Sequence, residues 1–479
     1  MTAIRKLLAL MTLLLPLSAQ PAADSPELVI DHVTIIDGSG APPQSDMTLR
    51  LKGGRILSLA SSSEEQPSGN VRVIDGRNKF LIPGLWDMHV HLLRNGRPEA
   101  YFPLLLANGV TGVRDMGGDL SFVEINRLRG EIAAGTRIGP RIFAPGPLID
   151  GPFPTLPGIT RVVRNAGEAR TAAIELKQQG ADFIKVYNQI PREAYFALAA
   201  TAKTLGIPYA GHVPYSVTAR EASNAGQKSI EHLFNVLFAC SDREDALMRD
   251  KARALSSTDS GERMALRQSY LQAVLESYNP EKANALFALF AKNGTWQTPT
   301  LVQRRTYAFP PATLAGNPWM KFIPLSQRWR FDPKQDGRIQ SRNAEQQEIE
   351  RRYYEMDRAL IAPMRAAGVR FLAGTDSPDG FAFPGFSLHQ ELAQLVEAGL
   401  TPMESLQAAT RNAADYFGLQ DAGVIAPQKR ADLVLLDADP LQDIRNTQRI
   451  AAVVVNGEYF SAAALRQLLG DAAEAAAKN

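Results

Sequence analysis

Residues 81 to 376 of this chain repeat one pattern: a short apolar segment, then an amphipathic stretch, then a glycine. Eight apolar segments can be counted: LWDMHVHL (85–92), VTGVRDMG (110–117), PRIFAPG (140–146), DFIKVY (182–187), PYAGHV (208–213), SIEHLF (229–234), TWQTPTLV (295–302) and RFLAGTD (370–376). Between them, stretches such as EARTAAIELKQQG and REAYFALAATAKTLG repeat their apolar residues at three and four and stop at glycine, which is helical spacing. Strands that alternate with helices specify a parallel sheet, because parallel neighbours need a crossover. Eight such units close into a barrel, so the expected fold class is α/β, a (β/α)8 TIM barrel.

The flanks differ. Before residue 81 the chain reads ELVIDHVTIIDG, DMTLRLKGGRILSLA and VRVIDGRNKFLIPG, and after 420 it reads ADLVLLDADPL and IAAVVVNGEYF. These are short β-branched runs broken by turns. Either set alone would leave unpaired edges, so the two ends are expected to meet in one small composite β-sandwich. The expected division is 24–80 and 421–465 for the sandwich, 81–420 for the barrel, and 466–479 as a fraying helical tail. Two connections, 240–294 after the sixth strand and 303–343 after the seventh, far exceed the usual few residues. Both follow carboxyl ends of barrel strands and are candidate lids.

The first 23 residues carry Arg5 and Lys6, an apolar run from Leu7 to Leu17, and small residues at Ser18 and Ala19. That is the layout of a secretory signal peptide, too short for a stable span, and it predicts an exported, periplasmic or secreted protein. Cleavage is expected near Ala19 or Ala23. Its removal takes two of the 52 basic residues and none of the 50 acidic ones, which leaves the mature chain formally neutral. No basic block invites nucleic acid or an anionic membrane as a partner. Self-association is compatible with this composition. A single cysteine, Cys240, excludes an intramolecular disulfide and is read as a buried small side chain.

Six histidines are present, and four fall at strand ends. Residues two apart on a strand face the same way, so His89 and His91 project together near the carboxyl end of the first strand. Such a pair either chelates a metal or forms hydrogen-bonded core contacts. His212 and His232 end the fifth and sixth strands, and Asp376 ends the eighth. Lys185 sits in the fourth between Ile184 and Val186. It either pairs with Asp376, meets substrate as a cation, or is neutralised by burial and takes up carbon dioxide as a carbamate. His32 and His389 are read as structural.

With these residues in hand, the chain resembles the amidohydrolase superfamily, specifically its binuclear branch with a carboxylated lysine and the prolidase- and imidazolonepropionase-like group within it. The similar elements are His89 and His91, Lys185, His212, His232 and Asp376. The closing stretch GVIAPQKRADLVLLDADPL is also similar, with Gln428 where a glycine is usual. The resemblance implies two divalent metal ions, zinc being the expected identity. His89, His91 and Asp376 would hold one and His212 and His232 the other, with N6-carboxylated Lys185 and a hydroxide between them. It further implies Asp376 as proton shuttle.

VTGVRDMGGD and FIKVY are similar to members that cleave dipeptides and N-acyl amino acids. The expected activity is therefore metal-dependent hydrolysis of amide C–N bonds in a small, peptide-like substrate. Tyr187 is expected to face the same mouth as Lys185, and Arg304 and Arg305 are candidates to grip a substrate carboxylate. Two alternatives stand beside this: a lactonase, esterase or phosphotriesterase using the same metals, and a non-catalytic metal-binding receptor.

Overall fold

The computed structural model describes residues 27–64, 71–94, 98–340 and 342–478. The signal segment expected at 1–23 lies outside the described residues. The strands of the first flank are β1 (Leu28–Ile35), β2 (Gln44–Lys52), β3 (Arg55–Ser61), β4 (Arg72–Asp75) and β5 (Phe80–Pro83). Those of the central region are β6 (Leu85–Val90), β7 (Val110–Asp115), β8 (Arg141–Phe143), β9 (Leu148–Asp150), β10 (Thr160–Val162), β11 (Ile184–Val186), β12 (Tyr209–Gly211), β13 (Ser229–Glu231) and β14 (Trp296–Thr298). The last flank supplies β15 (Leu433–Leu436), β16 (Ile450–Val455) and β17 (Glu458–Ser461).

The two ends of the chain join in one hydrogen-bonded sheet of order β17-β16-β15-β5-β1-β2-β3, with β4 also paired to β1. The junction is antiparallel, Leu433 opposite Pro83 and Leu436 opposite Phe80. Side chains alternate in direction along a strand, and here both directions are used. Leu81, Leu433 and Leu435 join Ile30, Val33, Leu49 and Ile56 in a core of the sheet's own. Ile82, Val434 and Leu436 face the other way, into the barrel's core. Burial on both faces explains why β15 reads LVLL without polar alternation. It also places β5 in this sheet, past the boundary expected at residue 80.

In the central region β6, β7 and β8 form one parallel sheet, and β10-β9-β11-β12-β13-β14 form another. Backbone hydrogen bonds join the two into a ring. On one side Asp182 N–H donates to Ala144 O at 3.1 Å. On the other, segment 370–377 lies between β14 and β6: Leu372 N–H donates to Gln297 O, Met88 N–H to Ala373 O, and His91 N–H to Ser377 O. The eighth position is filled by isolated bridges rather than by the regular strand expected at 370–376. Two residues account for this. A Cβ on Gly374 would stand 2.6 Å from that of His89, so the backbones approach closely, and Asp376 has a left-handed φ of +65°.

The other barrel strands are shorter than expected, so His91, His212 and His232 each fall just beyond a strand end. The connection after β13 is helical, comprising Val236–Ala239, Glu244–Ser256, Ser260–Glu276 and Pro280–Asn293. The second and third of these pack on each other, and Asp259 caps the third by accepting from Glu262 N–H at 2.6 Å. The connection after β14 opens with the helix Leu301–Ala308 and closes with Ala344–Ala359 followed by Ile361–Ala366.

The expected fraying tail is instead a docked helix, Ala462–Lys478. Its Leu465, Ala472 and Ala476 recur at helical spacing and are buried, and Leu465 packs with Leu106, Val453 and Phe460. Among the described residues no helix is long and apolar enough to cross a membrane.

Candidate metal centre

Six side chains, His89, His91, Lys185, His212, His232 and Asp376, come from five segments of the barrel wall, at or just beyond the ends of β6, β11, β12 and β13 and in the segment 370–377. His89 Nε2 and His91 Nε2 each lie 3.2 Å from Asp376 Oδ1. The His89 ring centroid is 4.5 Å from that of His232, and the His232 ring is 5.0 Å from that of His212. His89, His91 and Asp376 offer ligand atoms close enough together to hold one metal ion.

The second nitrogen of each imidazole explains how these rings are aimed. His89 Nδ1 is 2.7 Å from Glu231 Oε2, His91 Nδ1 is 3.0 Å from Gly117 O, and His212 Nδ1 is 2.6 Å from Asn188 Oδ1. His232 Nδ1 is 2.6 Å from Thr300 Oγ1, whose own hydroxyl donates to Pro299 O. All four partners can accept from a ring N–H, so each ring can carry a proton on Nδ1 and present Nε2 inward as a ligand. The His91 contact depends on Gly117, whose φ is +120° and where a Cβ would stand 2.4 Å from Leu148 Cδ2. Three residues at the site, His232, Thr300 and Asp376, hold the left-handed backbone that side chains rarely adopt.

Lone pairs facing a carboxylate repel unless positive charge lies between them. His89 Nε2 is buried without a hydrogen-bond partner, and so is the ammonium of Lys185 on β11. Burial pulls the Lys185 amine down to about 8, against the pull of Glu231 and Asp376. Burial also pushes His212 and His232 well below the ordinary imidazole range, helped at His212 by Lys185 and at His232 by His89. Those two rings are neutral, the state in which imidazole ligates metal. At His91 burial acts downward too, but Asp376 outweighs it and the net direction is up. For Asp376 burial would raise the carboxyl, yet His89 and His91 hold it well below the usual carboxylate range. The donor set fits divalent cations: orphaned imidazole nitrogens, a carboxylate and a buried amine.

Beneath the centre, Arg114 on β7 donates to Glu231 Oε2 at 2.7 Å, to Ser229 Oγ at 2.8 Å and to Met88 O at 2.6 Å. Arg114 and Glu231 are wholly buried. Burial alone would raise the Glu231 carboxyl, but Arg114 and His89 hold it far down as an anion. Sequence reading gave no role to Arg114, Glu231, Asn188 or Thr300.

A cavity of ≈ 990 Å³ opens onto His91, Tyr187, His212, His232 and Asp376. The Tyr187 ring lies 4.3 Å from that of His212. Arg304 lines the cavity, but its guanidinium is engaged by the buried Asp357 and donates to His232 O at 3.2 Å. Arg305 does not share that position: it is exposed and lies over the Phe309 ring. Neighbouring residues on the helix Leu301–Ala308 point about 100° apart, so both arginines cannot face one cavity. His32 contacts Asp46 in the terminal sheet, and His389 contacts Thr447. Cys240 is buried, and burial raises its thiol to about 12, which leaves it inert.

Across almost the whole chain the architecture matches solved structures. Bottromycin amidohydrolase superposes with a TM-score of 0.73 at 24% identity, covering 95% of this chain and 92% of that one. A Xaa-Pro dipeptidase with methionine bound in its active site gives 0.63 at 21% identity, covering 91% and 100%. At such identities the likeness is one of fold. Residues 335–459 match the Amidohydrolase family in sequence. Over that stretch the chain is similar to the Amidohydrolase family, and over nearly its whole length it shares the fold of these two structures. Imidazolonepropionase of Deinococcus deserti is 43% identical over 82 residues, 17% of this chain and 20% of the relative. The similarity to this curated relative thus spans about a fifth of its length.

Proposed function

We propose that this chain is a member of the amidohydrolase superfamily, a metal-dependent hydrolase that opens an amide C–N bond in a small peptide-like substrate, a dipeptide or an N-acyl amino acid. One observation carries the reading: His89, His91 and Asp376 turn three acceptor atoms on one another, with the orphaned Lys185 amine buried in the same barrel. Such an arrangement is stable only around positive charge. His89, His91 and Asp376 would hold one cation and His212 and His232 a second. Lys185 would be shared between them after its neutral amine adds carbon dioxide and releases one proton to leave a carbamate. Zinc suits imidazole and carboxylate donors. When bound, the cations supply acidification of a water and polarisation of the scissile carbonyl.

The chain's own groups do the rest. Asp376, an anion aimed at the centre, accepts the water's proton and passes it to the leaving amine. The phenol of Tyr187 stays protonated because burial raises it, so beside His212 it can donate to the substrate's carbonyl oxygen. Helices Ser260–Glu276, Leu301–Ala308 and Ala344–Ala359 contribute to the walls of the cavity, whose ≈ 990 Å³ suits a small-molecule substrate. The N-terminal pattern of Arg5, Lys6 and the apolar run to Leu17 supports an exported protein.

The test is a panel of dipeptides, N-acyl amino acids and lactones, with elemental analysis of the same sample. Amide turnover that vanishes with chelation and returns with a divalent cation supports the reading. Turnover of lactones or esters alone transfers the centre to the alternative chemistry.

A further inference from the structure

The cavity carries many cations, and nearly all are spoken for. Arg94 and Arg330 pair with Asp379, Arg338 with Asp336, Arg267 and Arg342 with Glu350, and Arg304 with Asp357. Lys251, on the helix Glu244–Ser256, is different. It is 8% exposed, lines the cavity, and among the described residues has no carboxylate within 4.0 Å.

Its surroundings hold the amine in place but offer it no counter-charge in contact. Nζ donates to Asn235 Oδ1 at 2.6 Å, and Asn235 is itself fixed by donating from Nδ2 to Val213 O at 3.1 Å. Three rings surround the charge, with centroids 4.3 Å (Phe234), 4.7 Å (Phe238) and 5.2 Å (Tyr215) away. Aromatic faces attract a cation but accept none of its hydrogen bonds fully. One of the three ammonium protons meets Asn235; among the described residues the other two have no acceptor. Burial, with Arg267 and Arg304 adding repulsion, pulls the amine down to about 7, a cost that an incoming anion would remove.

The position relative to the metal ligands sets the ligand's size. Phe234 adjoins both groups: its ring centroid is 4.5 Å from that of His212 and 4.3 Å from the Lys251 ammonium, so the ammonium and the candidate ligand imidazole lie within about 9 Å of each other. In an N-acyl amino acid the carboxylate carbon is three bonds from the scissile carbonyl carbon, about 4 Å away. A carboxylate hydrogen-bonded to Lys251 at about 3 Å thus puts the neighbouring amide carbon up to about 7 Å from the ammonium, a span comparable to that separation.

We propose that Lys251 is the specificity residue that selects substrates bearing a free carboxylate one residue from the scissile amide. This rests on the amide-hydrolase reading above and refines it. It also reassigns the carboxylate grip from Arg304 and Arg305, the one occupied by Asp357 and the other outside the cavity.

The experiment is calorimetric binding to the metal-loaded protein, which needs no turnover. The probes are N-acetylglycine and N-acetylglycinamide, which differ only in the anionic group. Wild-type protein is expected to bind the acid at least tenfold tighter than the amide, and Lys251→Met to bind the two equally. Lys251→Arg, which keeps the charge, should retain a preference for the acid. Equal affinities in the wild type overturn the proposal, and that result holds even if the methionine variant fails to fold. A preference that survives in a folded Lys251→Met variant also overturns it, because the carboxylate would then be read by the metals. Absence of amide turnover by a protein that still shows the Lys251-dependent preference refutes the hydrolase reading and leaves the subsite standing.

Discussion

His89 and Glu231 share a hydrogen bond of 2.7 Å between Nδ1 and Oε2, and both side chains are fully buried. Arg114 donates to the same oxygen, so one carboxylate ties the His89 imidazole on β6 to a guanidinium on β7. The orientation of His89 thus depends on a charge that never meets substrate.

Exchange of Glu231→Gln keeps the shape and removes that charge. Metal affinity should fall roughly 10- to 100-fold, as when the outer partner of a ligating histidine is lost. Arg114 would be left buried without its counter-charge, at a cost of about 3 to 5 kcal/mol. Metal content after dialysis and a denaturant titration measure the two effects. Unchanged metal retention would show that His89 is aimed by something else.

Asp376→Asn retains an oxygen that can ligate but cannot take a proton. The expected result is a fall in kcat of about 10²- to 10⁴-fold with metal content largely kept. Turnover at the native rate would remove Asp376 from the proton path.

The adjacent arginines should behave oppositely. Arg305 is exposed, so Arg305→Ala is expected to change stability by no more than about 0.5 kcal/mol. Arg304→Met leaves the wholly buried Asp357 without its partner and should cost about 3 to 5 kcal/mol. Equal effects in chemical denaturation would contradict the placement of the two side chains.

Glu391 predicts a pH dependence. Its Oε2 accepts from Val302 N–H at 2.7 Å, its Oε1 has no partner, and burial pushes the carboxyl up to about 8. Between its ordinary value of 4.5 and about 8, the folded protein keeps a proton that the unfolded chain has lost. Stability from this group is therefore full at acid pH and declines as pH rises across that window. Glu391→Gln stays neutral throughout, so relative to the native chain it should gain stability from pH 5 to pH 8, by up to a few kcal/mol. Parallel stability profiles would mean that Glu391 is not protonated when folded.

The barrel and its inward residues are legible in the sequence because they obey simple periods. Alternation puts His89 and His91 on one side of a strand, and imidazole, carboxylate and lysine at strand ends are few enough to stand out. Residues that aim the ligands carry no such mark. Glu231 adjoins His232, Thr300 follows a proline and Asn188 lies in a turn, and each is a common polar residue whose partner is remote in sequence. Arg304 and Arg305 are adjacent in the sequence, but a helix turns neighbouring side chains in different directions. The eighth strand could not be seen as irregular, since what interrupts it is the approach of Gly374 to His89. The Lys251 cage gathers Tyr215, Phe234 and Phe238 from other segments, and only the fold brings them around one ammonium.

The most direct measurement is the number of divalent cations bound per chain in catalytically active protein, by elemental analysis after exhaustive desalting. Two per chain is the expected count in the native protein, falling when His212 and His232 are both replaced by alanine. Full activity in a sample containing no divalent cation would contradict the account at its root.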